Sequence, residues 1–173
     1  MSTQAPGKGA GRVLMIVAWC AGLYLATQFF GRWEQKQENP NTEVTSQQGD
    51  GYIEVTLRGN VQGHFVASGR INNVPVEFLL DTGATDVAVP LDLARQLALP
   101  KGVPVTLSTA NGRAQGYRTR IDRLQLGAIV LRDVRAVAAP GLEGEQVLLG
   151  MSALNQLEFT QRDGTMLLRQ STY

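Results

Sequence analysis

VEFLLDTGAT, at residues 76–85, joins an apolar strand pattern to an acid and a tight turn. An ionised carboxylate at the end of a buried strand is costly unless it is protonated, paired or solvated. Thr82 can turn its hydroxyl towards backbone groups, while Gly83 lets the chain bend and leaves an open amide near the carboxylate of Asp81. This pattern predicts an acid that is held in place yet accessible.

Residues from Tyr52 onward continue the alternation of apolar and polar side chains that is typical of half-buried strands. Asn72-Asn73 and Asp163-Gly164 are hairpin turns between such segments, and Gly127-Ala128 separates two further strands, 121–126 and 129–137. Two short helices are predicted, at 91–99 and 151–156. The sequence therefore predicts one all-β domain over 52–173, with one or two short helices.

Charge and cysteine content exclude several functional classes. Sixteen basic and fifteen acidic residues nearly cancel, and the basic residues are scattered, so nucleic-acid binding has no support. Cys20 is the only cysteine and His64 the only histidine, which leaves no disulfide, metal-ligand cluster or Cys/His nucleophilic pair. No metal and no cofactor are expected, and His64 receives no role.

The amino-terminal part is predicted to be a membrane anchor. Residues 13–30 are apolar and uncharged, long enough at about 1.5 Å per residue to cross most of a bilayer core of about 30 Å. Basic residues precede this run without acids, which predicts a cytoplasmic tail over 1–12 and a single-pass inner-membrane protein with its domain outside the cytoplasm. A cleaved signal peptide is the rival interpretation. The polar residues 31–51 read as a flexible linker.

A single acid cannot both activate a water and protonate a departing group, and no second acid has the setting of Asp81. The remaining candidates are expected in solvated turns or helix starts: Asp86, Asp92, Asp122, Asp133 and Asp163. If the chemistry needs two such acids, the second comes from another copy of the chain.

FLLDTGAT, with LLGMSAL about seventy residues later, resembles the retropepsin-type aspartic proteases, the single-domain relatives of pepsin. The resemblance covers 52–173. In that family the apolar-apolar-Gly element, here Leu148-Leu149-Gly150, packs beside the active-site loop and leads into a short helix. Residues 105–119 lie where the family carries its flap, a hairpin expected to turn at Asn111-Gly112.

The resemblance implies that a homodimer hydrolyses a peptide or protein substrate. Two Asp81 carboxylates would share one proton and hold a water between them. Thr82 and Gly83 would support the acids. Ala84, Thr85, Asn111 and Gly112 would contact substrate.

Two departures from well-studied viral members concern the dimer and the pocket. Thr85 and Asp86 stand where those members have two acids, and Met151 stands where they have an arginine. The ion pair that braces those dimers is therefore absent, and a less charged pocket is expected near Thr85.

The sequence leaves two other interpretations of the function open. A catalytically inactive protease-fold module for dimerisation or peptide binding is the alternative to an aspartic endopeptidase. A tethered β-domain of unrelated structural role would require both motifs to be coincidental.

Overall fold

A computed structural model describes residues 8–109, 112–142 and 146–172. The described chain falls into two units, one ending at Gln37 and one beginning at Glu38. The first unit is a helix, α1 (Lys8–Glu38), with apolar side chains on all its faces. By length and composition, Gly11–Glu38 qualifies as a candidate membrane span, because it contains an 18-residue window with a mean hydropathy of 1.8. Amino-terminal signal sequences pass the same test.

The second unit is mainly β, as the sequence predicts. Its strands are β1 (Ser46–Gly49), β2 (Tyr52–Arg58), β3 (Phe65–Ile71), β4 (Val74–Leu80), β5 (Val87–Pro90), β6 (Pro104–Thr109), β7 (Gly112–Leu126), β8 (Ile129–Ala139), β9 (Gln146–Leu149), β10 (Glu158–Arg162) and β11 (Thr165–Ser171). Its short helices are α2 (Leu91–Gln96) and α3 (Met151–Leu154).

Two sheets carry the domain. The smaller has the order β1-β2-β11-β10, and the larger has the order β3-β4-β9-β5-β8-β7-β6. An extra pairing of β3 with β7 curls the larger sheet back on itself. The pairs β4–β9 and β5–β8 are parallel, so the ends of β4 and β9 meet at one edge. That meeting point carries Asp81.

The alternation seen in the sequence produces the core. One face of the smaller sheet supplies Val55, Leu57 and Leu168, all fully buried. Phe78 of β4 and Leu149 of β9 join the same apolar cluster from the larger sheet. Burial of such side chains stabilises the fold by about 1.5–3 kcal/mol each.

The predicted hairpins form as expected. Asn72 and Asn73 adopt φ values of 48° and 70°, and Asp163 and Gly164 adopt 50° and 70°, the left-handed values of a two-residue hairpin turn. Gly127-Ala128 joins β7 to β8, with Leu126 opposite Ile129.

Helix α2 ends at Gln96, three residues before the predicted end at 99. Ala98 takes φ 50°, its N–H donates to the Arg95 carbonyl, and the Leu99 N–H donates to the Ala94 carbonyl. These two bonds form a Schellman ending, which glycine usually marks in a sequence. With alanine at this position, the ending gives no sequence signal.

The structure corrects the predicted flexible linker over 31–51. Residues 31–38 continue α1, and β1 pairs with β2. Asn41 is only 5% exposed; its amide donates to the carbonyls of Arg58 (2.8 Å) and Val66 (2.7 Å), and its oxygen accepts the Arg58 N–H (2.8 Å). Because these bonds tie β2 to β3, the polar composition reflects buried hydrogen bonding rather than solvation. The β unit begins at Glu38 rather than Tyr52.

Candidate active site

Asp81 lies in the loop that follows β4. Its N–H donates to the Leu149 carbonyl (3.2 Å), which extends the parallel β4–β9 pairing by one step. Its own carbonyl accepts the Ala84 N–H (3.2 Å), which closes a tight turn. The side chain is half-buried. The loop thus holds a partly exposed acid at a fixed point, as the sequence indicates.

Gly83 supports the carboxylate directly. Its N–H donates to Oδ1 of Asp81 at 2.9 Å, a charge-assisted bond when the acid is ionised. A Cβ at this position would lie 3.2 Å from that same oxygen. Gly83 is not among the residues with positive φ, so a larger residue here would crowd the carboxylate rather than strain the backbone.

The following residues differ in how they are held. The Ala84 carbonyl accepts the Met151 N–H (2.8 Å), and the Thr85 carbonyl accepts the Ser152 N–H (2.9 Å). The side chains of Thr82 and Thr85 are exposed. The Thr82 hydroxyl makes no hydrogen bond within residues 8–109, 112–142 and 146–172, so the expectation that it turns towards backbone of its own chain is not met.

Gly150 allows α3 to approach this loop closely. A Cβ on Gly150 would overlap the Asp86 carbonyl oxygen and come within 2.7 Å of the Ala84 carbonyl oxygen. Side-chain atoms are essentially never found at such separations from backbone, so only glycine fits. The Leu148-Leu149-Gly150 element therefore packs against the Asp81 loop as the resemblance implies.

Ser152 and an ion pair complete the support and were missed by sequence reasoning. The Ser152 hydroxyl accepts the N–H of buried Val87 (2.9 Å) and donates to the Arg135 carbonyl (2.6 Å). Asp86, expected in a solvated turn, has a side chain only 20% exposed and accepts a 2.6 Å bond from Nε of Arg135. An ion pair thus fixes the end of this loop within one chain, although Met151 supplies no arginine.

The predicted flap region forms a projecting ribbon. β6 and β7 pair from Thr109 opposite Gly112 to Pro104 opposite Tyr117, whereas β8 joins β7 only from Tyr117 onward. Beyond Tyr117 the ribbon therefore has two strands in the described part of the chain. Gly112 has φ 107°, which favours glycine, and Asn111 lies outside the described residues.

A cavity of about 580 Å³ lies between α2 and the base of the ribbon, lined by Leu91, Lys101 and Tyr117 among others. Within the described ranges, no three of the His, Cys, Asp and Glu residues come together as metal ligands. The chemistry that the geometry supports centres on the Asp81 carboxylate and the Gly83 N–H that donates to it.

Asp-Thr-Gly follows a strand of a curled β-sheet, and its loop packs against Leu-Leu-Gly and a short helix. This arrangement defines a retropepsin-like aspartic protease fold. The chain belongs to the gag-polyprotein putative aspartyl protease family, whose model matches residues 67–156. Family and fold together support peptidase activity.

Two uncharacterized proteins are similar to this chain in sequence. It is 35% identical over 115 residues to an uncharacterized protein from the cobV 5′ region of a Sinorhizobium species, covering 65% of this chain and 49% of that protein. It is 27% identical over 118 residues to an uncharacterized protein of Rickettsia prowazekii, covering 66% and 50%. The chain thus spans about half the length of these curated relatives.

The solved structure of a retropepsin-like aspartic protease from Rickettsia conorii is similar in fold. The TM-score is 0.59 at 24% identity, over 74% of this chain and 96% of that one. This likeness concerns the fold alone.

Proposed function

We propose that this protein is a membrane-anchored aspartic endopeptidase that is active as a homodimer. The observation that carries the proposal is the Asp81 loop: one half-buried acid, held by the Gly83 amide and clasped by Gly150, with its carboxylate open to one side. An isolated chain offers one such acid. A second copy supplies the other.

In the proposed mechanism, two Asp81 carboxylates meet at a two-fold axis and share a single proton, because like charges about 3 Å apart cannot both ionise. The ionised carboxylate removes a proton from a water held between them, and the protonated one donates to the peptide carbonyl. The resulting tetrahedral diol collapses as the amide nitrogen takes up a proton. No covalent intermediate with the enzyme forms.

The neighbouring residues have supporting roles in this proposal. Thr82, whose exposed hydroxyl has no bond inside the described chain, would bond to the second copy of the loop and hold the two acids in register. Ala84 and Thr85 would line the bound peptide. The β6–β7 ribbon would close over an extended peptide and exclude water, with Gly112 and, outside the described residues, Asn111 proposed to contact that peptide.

The proposed topology places residues 1–12 in the cytoplasm, 13–30 in the inner membrane and the protease domain on the far side. Residues 13–30 of α1 are predominantly apolar on every side of the helix, which suits a lipid environment better than the surface of a soluble protein. Two chains anchored in one membrane meet at a raised effective concentration, so anchoring favours the active dimer.

The alternative is a protease-fold module that binds peptides or dimerises without cleaving. Its structure would need the ribbon and the loop but not an open, hydrogen-bonded acid. The Gly83 amide aimed at Asp81 favours the enzyme, because a binding role leaves that arrangement without use.

Replacing Asp81 by asparagine tests the proposal, because an amide keeps the shape but cannot share the proton. We expect cleavage of unfolded casein by the full chain in detergent, at mildly acidic pH, to fall by about 10²–10⁴-fold. The matched control is Asp122→Asn, at an exposed position of β7, which should cleave normally. A pepstatin-like transition-state analogue should inhibit the unaltered chain and the control.

Unchanged cleavage by Asp81→Asn would exclude this mechanism. Casein binding without cleavage by any form would favour the binding module. The contribution of the anchor is tested by comparing the full chain with a fragment that starts at Glu38, the observed beginning of the β unit. Equal activity of both at the same low concentration would show that anchoring does not promote assembly.

A further inference from the structure

Strand β10 differs from its neighbours in the smaller sheet. Every one of its five residues is exposed, whereas β11 and β2 each carry buried residues at alternate positions. A strand that is exposed on both faces buries little apolar surface, so the hydrophobic effect contributes little to holding it in the sheet. This suggests that β10 lacks part of its packing in the single chain.

The buried face of the sheet ends one strand before β10. Phe159 lies opposite Leu168, which lies opposite Val55, and both of these partners are fully buried. Phe159 therefore points to the core side of the sheet, yet it is 38% exposed. Gln161, next on the same side, is also exposed, although its partner Met166 is buried.

The outer edge of β10 also carries unpaired backbone groups. The Asp163-Gly164 turn closes on a bond between Arg162 and Thr165, so the residues that alternate with Arg162 bond to β11. Phe159 and Gln161 consequently direct their N–H and C=O groups outward, where no strand pairs with them in the described part of the chain. Such an edge is a template for another strand.

The opposite edge of the same sheet is partly covered. The Ser46 hydroxyl of β1 accepts the Ala128 N–H (2.9 Å), and the turn at Gly127 packs against that strand. The contrast leaves β10 as the edge available for pairing.

We infer that β10 pairs antiparallel with β10 of a second copy of this chain, about a two-fold axis through Thr160. In this register Phe159 faces Gln161 of the partner subunit, and the outward groups of both residues bond in both directions. Centring the axis on Phe159 or Gln161 instead leaves some of these groups without a partner. Thr160 then faces Thr160 of the partner subunit.

In this register alone, opposite charges on the two β10 strands face each other. Glu158 faces Arg162 of the partner subunit, and symmetry repeats the pair. Within the chain, Glu54, Arg169 and Glu158 already form a row of alternating charge across β2, β11 and β10, with Arg169 donating to Glu54 at 2.8 Å. The partner's Arg162 continues that alternation. In its own chain Arg162 forms an ion pair with the highly exposed Asp163, at 3.3 Å.

This interface rests on the proposed homodimeric protease and specifies how its two halves meet. β10 follows α3, and the backbone of α3 bonds to Ala84 and Thr85 beside Asp81. Pairing at β10 would therefore join the two copies through the strand that follows the helix bonded to each Asp81 loop.

Charge exchange at β10 tests the inference on the full chain in detergent, by sedimentation. Glu158→Arg and Arg162→Glu each replace two attractive contacts by repulsive ones, and each should weaken dimerisation by at least about tenfold. The double variant Glu158→Arg/Arg162→Glu restores opposite charges and should recover most of the loss. Single variants without effect, or a double variant as weak as the singles, would overturn the inference.

Disulfide trapping tests the register independently. In a Cys20→Ser background, Thr160→Cys places two thiols directly opposite each other, at a spacing of about 4.5 Å between Cα atoms that a disulfide can bridge. Mild oxidation should convert most of the chain to a covalent dimer. The control Gln47→Cys, on the exposed part of β1, should remain monomeric; equal trapping at both positions would overturn the inference.

Neither readout depends on catalysis. Trapping at Thr160 with no casein cleavage would preserve this interface and overturn the proposed protease. Cleavage with neutral charge variants and no trapping would do the reverse.

Discussion

The Asp81 loop and the β6–β7 ribbon both extend from the larger sheet, but neighbouring residues support them very differently. The Asp81 loop is bonded on three sides, by Leu149, by the start of α3 and through Asp86 by Arg135. In the part of the chain that the structure describes, the ribbon extends past β8 as two paired strands. The difference teaches that the domain supports the acid with more bonds than the region expected to cover a substrate.

The largest effect is expected from Gly150→Ala, which places a methyl group against two backbone carbonyls of the Asp81 loop. We expect a loss of about 3 kcal/mol in the free energy of unfolding, since backbone atoms cannot move aside as a flexible side chain can. Thermal unfolding of the full chain measures it. Gly31→Ala, with open space around the position, is the control; equal stability of both variants would contradict the tight clasp.

Ser152→Ala should have the next largest effect. It leaves the N–H of fully buried Val87 without its partner, at a cost of about 1–3 kcal/mol. Urea unfolding measures the loss, and Ser171→Ala, at an exposed position of β11, should change stability by less than about 0.5 kcal/mol. If both variants unfold alike, the hydroxyl does not support the loop.

Arg135→Met removes the ion pair with Asp86, and Arg120→Met removes the pair with Asp133 on the opposite strand; both arginine side chains are 56% exposed. Each change should cost at most about 1 kcal/mol, less at high salt. Only Arg135→Met should lower the rate of casein cleavage, because only its partner adjoins the Asp81 loop. Equal rates for the two variants would argue against a positioning role for Arg135.

The smallest effect on stability is expected from Gly112→Ala in the ribbon. Its φ of 107° strains an alanine, but the strain is confined to a region outside the core, so unfolding should change by about 1 kcal/mol or less. The KM for a peptide substrate should rise while Tm stays nearly constant. Gly141→Ala, which also has positive φ and open space, should alter neither the KM nor the rate. A large drop in Tm for Gly112→Ala would contradict a weakly supported ribbon.

Much of this fold was predictable because its signals are local. Alternating apolar residues specify the strands, and Asn72-Asn73 and Asp163-Gly164 specify two hairpins. The position of Asp81 after an apolar strand, and the close approach of Gly150, follow from two short motifs. The loop's support could be expected from them, although the individual bonds could not.

The unpredicted features depend on distant residues. Asp86 meets Arg135 because β5 pairs in parallel with β8, with Val87 opposite Ala136, a register that no local pattern specifies. Asn39 and Asn41 have the composition of a linker, yet they are buried because they satisfy groups of strands far along the chain. Such bonds become visible only after the sheets are assembled.

The parallel pairing of β4 with β9 has a consequence for biosynthesis. Glu77 and Gln146 are opposite each other in this pair although they lie 69 positions apart. Closing so long a loop costs entropy before any contact repays it, and domains are synthesised from the amino terminus. A nascent chain therefore contains Asp81 well before it contains Leu149 and α3, whose backbone groups bond to the Asp81 loop. An unfinished chain lacks these bonds, so we expect the Asp81 loop to become ordered only once the whole domain has been made.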